Sequence, residues 1–276
     1  MKKAGKWVSF VLAAMMLVTA AAGCGSKSST STQASDAKKQ TFTVGFDAEY
    51  APYGYMGPDG QYTGFDLEMA QAVCDLNGWE LVKKPIDWNS KDMELSSGNI
   101  DCIWNGFTVT GRENDYTWSV PYVDNSIVWV VKSNSGIQTA ADLAGKNVVT
   151  QSGSSAYTAL TATEDNEKNL ALAKTFAQLQ TVADYNTAFA NLDSGMVDAI
   201  AVDIGIAKYQ LTSRNDNTLV MLSEPLSTEQ YAIGFKLGNT ALRDQVQTAF
   251  DQLVSNGTFM QLAEKYKLAD MVCVGK

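Results

Sequence analysis

The sequence predicts an α/β fold in which one small helix–strand unit is built twice. Strand-like and helix-like patterns alternate along residues 41–276, which is typical of α/β proteins with mostly parallel sheets. In addition, LSSGNIDCI (Leu95–Ile103) and LDSGMVDAI (Leu192–Ile200) share the pattern Leu-x-Ser-Gly-x-apolar-Asp-x-Ile and begin 97 residues apart. In each copy we expect the Ser-Gly pair to end a helix, because glycine suits the left-handed conformation that follows a helix, and an apolar strand to follow.

Each copy of this unit is expected to bring polar groups to a ligand site. Ligands of α/β sheets bind beyond the carboxyl ends of the strands, so the residues after the two apolar stretches should face one shared cleft. Asp101 and Asp198 precede those stretches, and we expect them to be turn or capping residues. A chance recurrence of the unit stays open as an alternative, because Ser-Gly helix ends are common.

Residue periodicity predicts the individual elements in chain order. Thr41–Phe46 has a strand pattern, and Phe65–Gly78 has the apolar spacing of a helix that Asn77 and Gly78 end. Further helices are predicted at residues 92–99, 184–195, 204–212 and 240–257. Further strands are predicted at residues 79–86, 100–107, 126–133, 146–151, 175–182, 197–203 and 231–236.

The first 23 residues are predicted to be a secretory signal peptide. Three lysines precede an apolar run at residues 7–23, and that run ends in small residues. A transmembrane anchor is the alternative, since 17 apolar residues lie at the lower limit for crossing a bilayer.

Cys24 follows the apolar run directly and is predicted to be lipidated. The sequence Ala21-Ala22-Gly23-Cys24 resembles a bacterial lipobox, although most lipoboxes have leucine at the place of Ala21. Residues 24–40 are polar and rich in serine and threonine, as expected of a flexible tether. We therefore expect an exported protein that a lipid holds at the outer face of the cytoplasmic membrane, on a Gram-positive cell surface or in a periplasm.

The composition excludes several classes of function. The 276 residues include no histidine, which removes histidine-based catalysis and histidine metal ligands. A formal charge of −9 without a basic patch argues against nucleic-acid binding. The sequence has no GxxxxGK[ST] phosphate loop, so this chain should not hydrolyse ATP. We expect no cofactor and no bound metal.

The cysteines give no clear disulfide pattern. If Cys24 is lipidated, Cys74, Cys102 and Cys273 remain, and an odd number cannot all pair within one chain. We expect buried free thiols, and a Cys74–Cys102 disulfide is the alternative in an exported protein.

A longer stretch of sequence indicates which α/β fold the chain adopts. The run NGFTVTGRENDYTWSVPY at Asn105–Tyr122, with VGFDAEYAPYGY and GQYTGFDLEMAQAVC before it, resembles the polar amino-acid-binding proteins of bacterial ABC importers. The resemblance covers nearly all of residues 41–276. It implies a bilobal, type II periplasmic-binding-protein-like "Venus flytrap": two lobes with mixed or parallel sheets, joined by two hinge strands. Lobe one would comprise residues 41–131 and 231–276, lobe two residues 132–230, with hinges near 130–133 and 229–232.

The resemblance also implies roles for residues of lobe one. Arg112 matches the residue that binds the α-carboxylate of the ligand, and a guanidinium suits a carboxylate because it can bind both oxygens. One departure is that only Gly111 separates Thr110 from Arg112, where most relatives have two residues. Thr108 matches a hydroxyl that bonds the ligand's ammonium or carboxylate, and Gly106 matches a carbonyl that accepts from the ammonium.

In lobe two, the resemblance implies that Ser154 and Ser155 bind the ligand carboxylate at the start of a helix, although a plain helix cap is the alternative. Asp203 matches the partner of the α-ammonium.

The side-chain pocket is expected from lobe one. Asp47 and Tyr50 follow the first strand, and Trp88 falls where relatives carry an aromatic residue, which favours a cationic ligand slightly. Trp104 and Trp129 are expected in the core.

The resemblance thus implies a monomeric binding protein that captures an amino acid and delivers it to an ABC permease, whose ATPase is on a separate chain. The expected protein is not an enzyme. Two alternatives are a sensor that presents its ligand to a receptor and an exported dehydratase on the same fold.

Overall fold

The computed structural model describes residues 39–163, 166–214 and 217–275. The predicted signal peptide, most of the predicted tether and Cys24 lie outside the described residues. The helices are α1 Phe65–Asn77, α2 Lys91–Ser96, α3 Ser155–Thr161, α4 Glu167–Ala173, α5 Tyr185–Ser194, α6 Ile204–Arg214, α7 Thr240–Ser255 and α8 Thr258–Lys265. Within the described ranges, no helix has the length and apolar character needed to cross a membrane.

The strands form two mixed sheets and one small antiparallel sheet. They are β1 Thr41–Phe46, β2 Glu49–Tyr50, β3 Gly54–Met56, β4 Tyr62–Thr63, β5 Glu80–Pro85, β6 Cys102–Ile103, β7 Thr117–Trp118, β8 Val123–Lys132, β9 Asn147–Gln151, β10 Gln178–Val182, β11 Ala199–Asp203, β12 Leu219–Met221, β13 Ser227–Tyr231 and β14 Gly234–Phe235. The small sheet has the order β2-β3-β4.

The first large sheet has the strand order β5-β1-β6-β14-β7. Its strands β5, β1 and β6 are parallel, whereas β14 runs antiparallel to both neighbours. Helix α1 lies against β1 and β5, and α7 and α8 pack on α1. We call the half of the molecule built on this sheet lobe one.

The second large sheet has the order β10-β9-β11-β8-β12, and β13 also pairs with β8. Strands β10, β9 and β11 are parallel, and β8 runs antiparallel to β11. Helices α3, α5 and α6 pack against β11. We call this half lobe two. The predicted α/β class with mixed and parallel sheets is confirmed.

The chain crosses between the two sheets where β8 pairs with β13. In this pairing Val123 stands opposite Tyr231 and Asn125 opposite Glu229. Residues 127–131 of β8 already pair with β11 inside the second sheet. We therefore propose lobe boundaries near Asn125 and Glu229, in place of the first boundary expected after residue 131.

The two repeated phrases form the same structure. Gly98 and Gly195, which follow α2 and α5, both have a φ of 77°, the left-handed conformation expected after a helix. Asp101 Oδ2 accepts a hydrogen bond from the Thr43 N–H at 2.7 Å, and its own N–H donates to the Thr43 carbonyl.

Asp198 makes the corresponding pair of bonds in the second lobe. Its Oδ2 accepts from the Asn147 N–H at 2.8 Å, and its N–H donates to the Asn147 carbonyl. Each aspartate thus ties its loop to the neighbouring parallel strand, β1 or β9. This agrees with the structural role predicted for Asp101 and Asp198.

The core contains the residues expected to be structural. Trp104 and Trp129 are fully buried, as predicted. Cys74 and Cys102 are buried free thiols, so the alternative of a disulfide between them is not what the structure contains. Burial raises the pKa of the Cys74 thiol to about 12, which keeps it protonated and unreactive at neutral pH.

Candidate functional site

A small pocket between the two lobes gathers most of the predicted ligand-binding residues. It is lined by Tyr50, Trp88, Gly106, Phe107, Thr108, Arg112, Gln151, Ser154, Ser155 and Asp203. Asp47 is the one predicted residue that does not line it. The free volume is about 10 Å³, room for about one water molecule. An amino acid can therefore enter only when the lobes move apart.

Arg112 reaches the pocket from a tight turn. The Arg112 N–H donates to the Val109 carbonyl, and Gly111 has a φ of 79° inside this turn. The glycine thereby accommodates the shortened loop noted in the sequence. The guanidinium stacks over the Phe107 ring at 5.4 Å, and its Nη1 donates to the Thr108 carbonyl at 3.2 Å. It forms no salt bridge with any residue that the structure describes, so its charge is available to a carboxylate.

Gly106 is held in place by a buried acid behind the pocket. Its N–H donates to Asp66 Oδ2 at 2.6 Å, and the Tyr122 hydroxyl donates to Asp66 Oδ1 at 2.9 Å. Gly106 has a φ of 55°, and a Cβ there would come within 2.9 Å of the Tyr231 ring and 3.0 Å of the Tyr50 ring. Only glycine fits this position, which leaves backbone rather than side chain facing the pocket.

Asp203 ends β11 on the side of the pocket that belongs to lobe two. Its Oδ1 accepts hydrogen bonds from the Tyr231 hydroxyl at 2.5 Å and from Asn125 Nδ2 at 2.7 Å. The side chain is 1% exposed, and this burial raises the pKa of the Asp203 carboxyl above its usual value, although the hydrogen bonds oppose the rise. Asp203 is well placed to accept from a positively charged donor.

Glu229 is a second acid at the pocket that the sequence analysis did not single out. It lies on the crossing strand β13, and its Oε1 accepts from Thr108 Oγ1 at 2.6 Å, Asn125 Nδ2 at 2.8 Å and Ser155 Oγ at 3.0 Å. Burial, and next the charge of Asp203, raise the pKa of Glu229 to about 7. The Thr108 and Ser155 hydroxyl groups, which are expected to bind a ligand, thus already donate hydrogen bonds to Glu229.

The two serines have different surroundings. Ser154 caps α3: its Oγ accepts from the Tyr157 N–H at 3.1 Å and donates to the Gln151 carbonyl at 2.7 Å. Ser155 instead directs its hydroxyl to Glu229. The alternative of a plain helix cap therefore describes the side chain of Ser154 but not that of Ser155.

Aromatic rings form one wall of the pocket. The Tyr50 and Trp88 rings are stacked at 6.5 Å with an angle of 11° between their planes, and Phe107 meets Trp88 edge-on at 5.6 Å. Trp88 is kept in position by a short 3-10 helix, Trp88–Ser90, which Asp87 caps by accepting from the Asn89 N–H. Such a wall suits an aliphatic or flat side chain.

Asp47 joins the lobes beside the pocket instead of facing its interior. Its Oδ2 accepts from Gln151 Nε2 at 2.6 Å, and its Oδ1 accepts from the Glu49 N–H at 2.9 Å. Its own N–H donates to Asn105 Oδ1, which fixes the backbone at this point. Burial raises the pKa of Asp47 to about 6, so the carboxylate is ionised at neutral pH. The expectation that Asp47 reads the ligand side chain is not supported by this position.

A wider groove lies elsewhere between α6 and residues 265–268. It has a free volume of about 470 Å³ and is lined by residues such as Tyr55, Lys208 and Tyr209. None of the predicted ligand-binding residues lines this groove. The convergence of polar groups therefore favours the small pocket as the functional site.

Comparison with known proteins identifies the chain. The family described as bacterial extracellular solute-binding proteins, family 3, matches residues 42–269. This chain belongs to that family. The L-cystine-binding protein TcyJ of Escherichia coli (strain K12) is 31% identical over 237 residues, which cover 85% of each protein. The arginine-binding extracellular protein ArtP of Bacillus subtilis (strain 168) is 27% identical and covers 95% of this chain and 97% of its own length.

A solved structure supports the same assignment. The substrate-binding protein of an ABC uptake transporter from Streptococcus pneumoniae, with bound histidine, has a TM-score of 0.79 and 33% identity, and the match covers 84% of this chain and 94% of that one. The bilobal, type II fold implied by the sequence is confirmed, as is membership of the family. The three relatives named above are all described as binding proteins.

Four further residues of the solute-binding protein take part in the site without having been predicted for it. They are Phe107, Gln151 and the hinge residues Asn125 and Glu229. One signal in the sequence could have indicated Glu229. It is two residues before Tyr231 in a predicted hinge, so both share the buried face of β13.

The position of Asp47 leads to a specific prediction for the solute-binding protein. Asp47→Ala should weaken the binding of all ligands by a similar factor, roughly 10- to 100-fold, because a hydrogen bond to a charged group contributes about 1.5–3 kcal/mol to closure. Trp88→Ala should instead change the order of ligand affinities. Dissociation constants for L-arginine, L-glutamine and L-cystine measure both effects. Glu264→Ala, at an exposed acid, is the control. A changed order of ligand affinities in Asp47→Ala would show that Asp47 does contact the ligand side chain.

Proposed function

We propose that this protein is the substrate-binding component of an ABC importer and captures an amino acid between its lobes. The observation that carries the proposal is the arrangement of charge in the pocket. Arg112 lacks a salt-bridge partner among the described residues and lines the pocket together with the acid Asp203. Glu229 lies beside the pocket and accepts hydrogen bonds from the lining residues Thr108 and Ser155. The carboxylate of a zwitterion pairs with Arg112 and its ammonium with Asp203, so the charges enclosed in the pocket become paired.

The roles proposed for individual residues follow from this arrangement. The α-carboxylate is bound by Arg112 with the Ser155 hydroxyl, and the backbone N–H groups near Ser154 assist it. The α-ammonium is bound by Asp203. Asn125 supports this placement, because its Oδ1 is buried with no hydrogen-bond partner among the described residues and can accept from an ammonium. Thr108 and the Gly106 carbonyl complete the ammonium site.

We propose a polar amino acid as the ligand, with a slight preference for a cationic one. The relatives described above are an L-cystine-binding protein, an arginine-binding protein and a substrate-binding protein with bound histidine. The wall of Tyr50 and Trp88 supports a flat or extended side chain, and rings of this kind also attract a guanidinium. Asp47 no longer contributes to this argument, because its carboxylate is bonded to Gln151.

Capture and delivery then form a cycle. The ligand binds lobe one, and lobe two closes on it by bending at the crossing strands near Asn125 and Glu229. The closed, monomeric protein docks on a permease whose ATPase is a separate chain. We further propose that Cys24 carries a lipid that holds the exported protein at the membrane surface.

We propose no catalytic activity for this pocket. Its most buried acid, Asp203, accepts two hydrogen bonds from fixed donors, which suits binding of an ammonium more than transfer of a proton. A dehydratase acting on a ligand without an ammonium would have no use for this arrangement.

A thermal-shift panel of the twenty amino acids, ornithine and cystine, on purified protein freed of bound ligand by unfolding and refolding, tests the proposal. A ligand that binds only the folded state raises the melting temperature. We expect a shift with arginine, lysine or ornithine and a smaller one with histidine or cystine. A shift with neutral amino acids alone would remove the cationic preference, and no shift with any of them would overturn the proposed function.

A further inference from the structure

Glu229 connects three parts of the molecule through one oxygen atom. It stands opposite Asn125 at the point where the chain crosses between the lobes. Its Oε1 accepts from Thr108 of lobe one, from Ser155 of lobe two and from Asn125 of the crossing strand. The protonation state of the Glu229 carboxyl therefore affects both the pocket residues and the strands that cross between the lobes.

A second acid lies beside it and shares a donor with it. Asn125 Nδ2 donates to Asp203 Oδ1 at 2.7 Å and to Glu229 Oε1 at 2.8 Å. Asp203 and Glu229 are 1% and 8% exposed, and neither forms a salt bridge within the part of the chain that the structure describes. Two buried carboxylates this close repel each other when both are ionised, because neither water nor a bonded cation offsets their charges.

The other charged and titratable groups around Glu229 do not remove this repulsion. The charge of Glu229 affects the titration of three tyrosines, Tyr53, Tyr185 and Tyr231, which are neutral at physiological pH. Arg112 lines the pocket but forms no ion pair with Asp203 or Glu229. Burial and the charge of Asp203 hold the pKa of Glu229 near 7. A proton retained by the pair is the simplest way to reduce its charge.

We propose that Glu229 makes amino-acid capture release a proton: the pair of Asp203 and Glu229 holds one proton before binding and loses it when the ligand's ammonium arrives. This inference rests on the proposed function. The ammonium supplies the positive charge that the pair lacks, both carboxylates ionise, and the proton passes to the solvent. The protonated site and the zwitterion thus give the complex and one free proton.

The direction of the pH dependence follows from this exchange. Below pH 7 the proton must be displaced, so the dissociation constant should rise about tenfold for each unit by which the pH falls. Well above the pKa of about 7 that Glu229 has in the folded protein, no proton remains to be displaced from it, and the dissociation constant should become independent of pH. Ligand would accordingly be released more readily in an acidic medium.

Isothermal titration calorimetry of the full protein tests the inference. L-arginine is the probe, or L-glutamine if the panel selects neutral ligands, since the α-ammonium of each stays almost fully protonated between pH 5.5 and 8. At pH 6, titrations in two buffers of different ionisation enthalpy give the number of protons released. We expect about one proton at pH 6 and little at pH 8. Zero release at pH 6 with normal binding heat would overturn the inference and leave the proposed function intact.

Variants assign the proton to its residue. Glu229→Gln keeps the hydrogen-bond acceptor for Thr108, so binding should persist within about tenfold while proton release at pH 6 falls close to zero. Glu264→Gln, at an exposed acid that does not line the pocket, is the control. It should retain both the binding and the release. Release that survives in Glu229→Gln, or disappears in the control, would overturn the assignment to Glu229, and the absence of binding heat at every pH would remove the proposed function with it.

Discussion

Arg112→Ala should greatly weaken the binding of every α-amino acid. Among the described residues the Arg112 guanidinium makes one hydrogen bond, to the Thr108 carbonyl, and it lies over the Phe107 ring, so its charge is available to an anion. Removing one partner of a buried, hydrogen-bonded charge pair costs about 2–5 kcal/mol, which is roughly 30- to 5,000-fold in the dissociation constant. Calorimetric titration with the best ligand of the panel measures this loss.

Two variants control this experiment. Arg112→Lys keeps the charge but not the two-pronged geometry, and it should recover part of the affinity. Lys168→Ala removes a cation whose side chain is 90% exposed, and it should bind like the unaltered protein. Affinity in Arg112→Ala within threefold of the unaltered protein would refute the carboxylate role of Arg112.

Asp203→Asn should abolish binding to a similar degree while leaving the protein at least as stable. The substitution removes the negative charge that faces the ammonium but preserves the size of the side chain. Because burial raises the pKa of Asp203 above the unfolded value of about 3.9, this carboxyl favours the folded state at low pH and loses that effect as the pH rises through the folded pKa. Above the folded pKa of Asp203, the neutral asparagine is therefore the less costly group to bury.

The measurements for Asp203→Asn are a dissociation constant and melting temperatures at pH 6 and pH 8 without ligand. The fall in melting temperature between pH 6 and pH 8 should be smaller than in the unaltered protein, because the charge of Asp203 helps to raise the pKa of Glu229 to about 7 and the substitution removes that charge. A carboxylic acid that lacks the α-ammonium should lose far less affinity than the amino acid. Equal losses for both ligands would show that Asp203 acts on the pocket as a whole and not on the ammonium.

Local periodicity was enough to predict the long elements. The strand at Thr41–Phe46 matches β1 residue for residue, and the helix predicted to end at Asn77 and Gly78 is α1. Strands such as β2 and β7 have two residues each, which is too short to show a period of two. They exist because partners distant in sequence pair with them, and such pairing leaves no local pattern.

The crossing point illustrates the same limit. The run IVWVV at residues 127–131 is apolar throughout, so the sequence does not reveal where β8 leaves one lobe and enters the other. Pairing decides it: residue 125 faces Glu229, whereas residue 127 faces Asp203. We therefore propose a hinge near residue 125, whereas one at 130–133 is expected from the sequence.

For the site, motif similarity predicted which residues lie near the pocket better than it predicted what their side chains contact. Thr108, Arg112 and Asp203 reach one pocket although Asp203 lies 95 positions after Thr108 and 91 after Arg112 in the sequence. Asp47 follows the right strand, but its carboxylate is directed by Gln151 of the opposite lobe, and no local pattern contains that contact. Glu229 and Asn125 were missed because each looks like an ordinary strand residue until the two are paired.

The position of the aspartate in each repeated unit separates the residues that set the strand register from the residues that contact the ligand. Asp101 and Asp198 stand at the entry of β6 and β11, while Gly106 and Asp203 stand at or beyond the exit, where the pocket lies. Strand register is thus set at one end and ligand contact at the other. Substitutions that retune the ligand need not disturb the frame, so a new specificity can be introduced at the exits while both entry aspartates are left untouched.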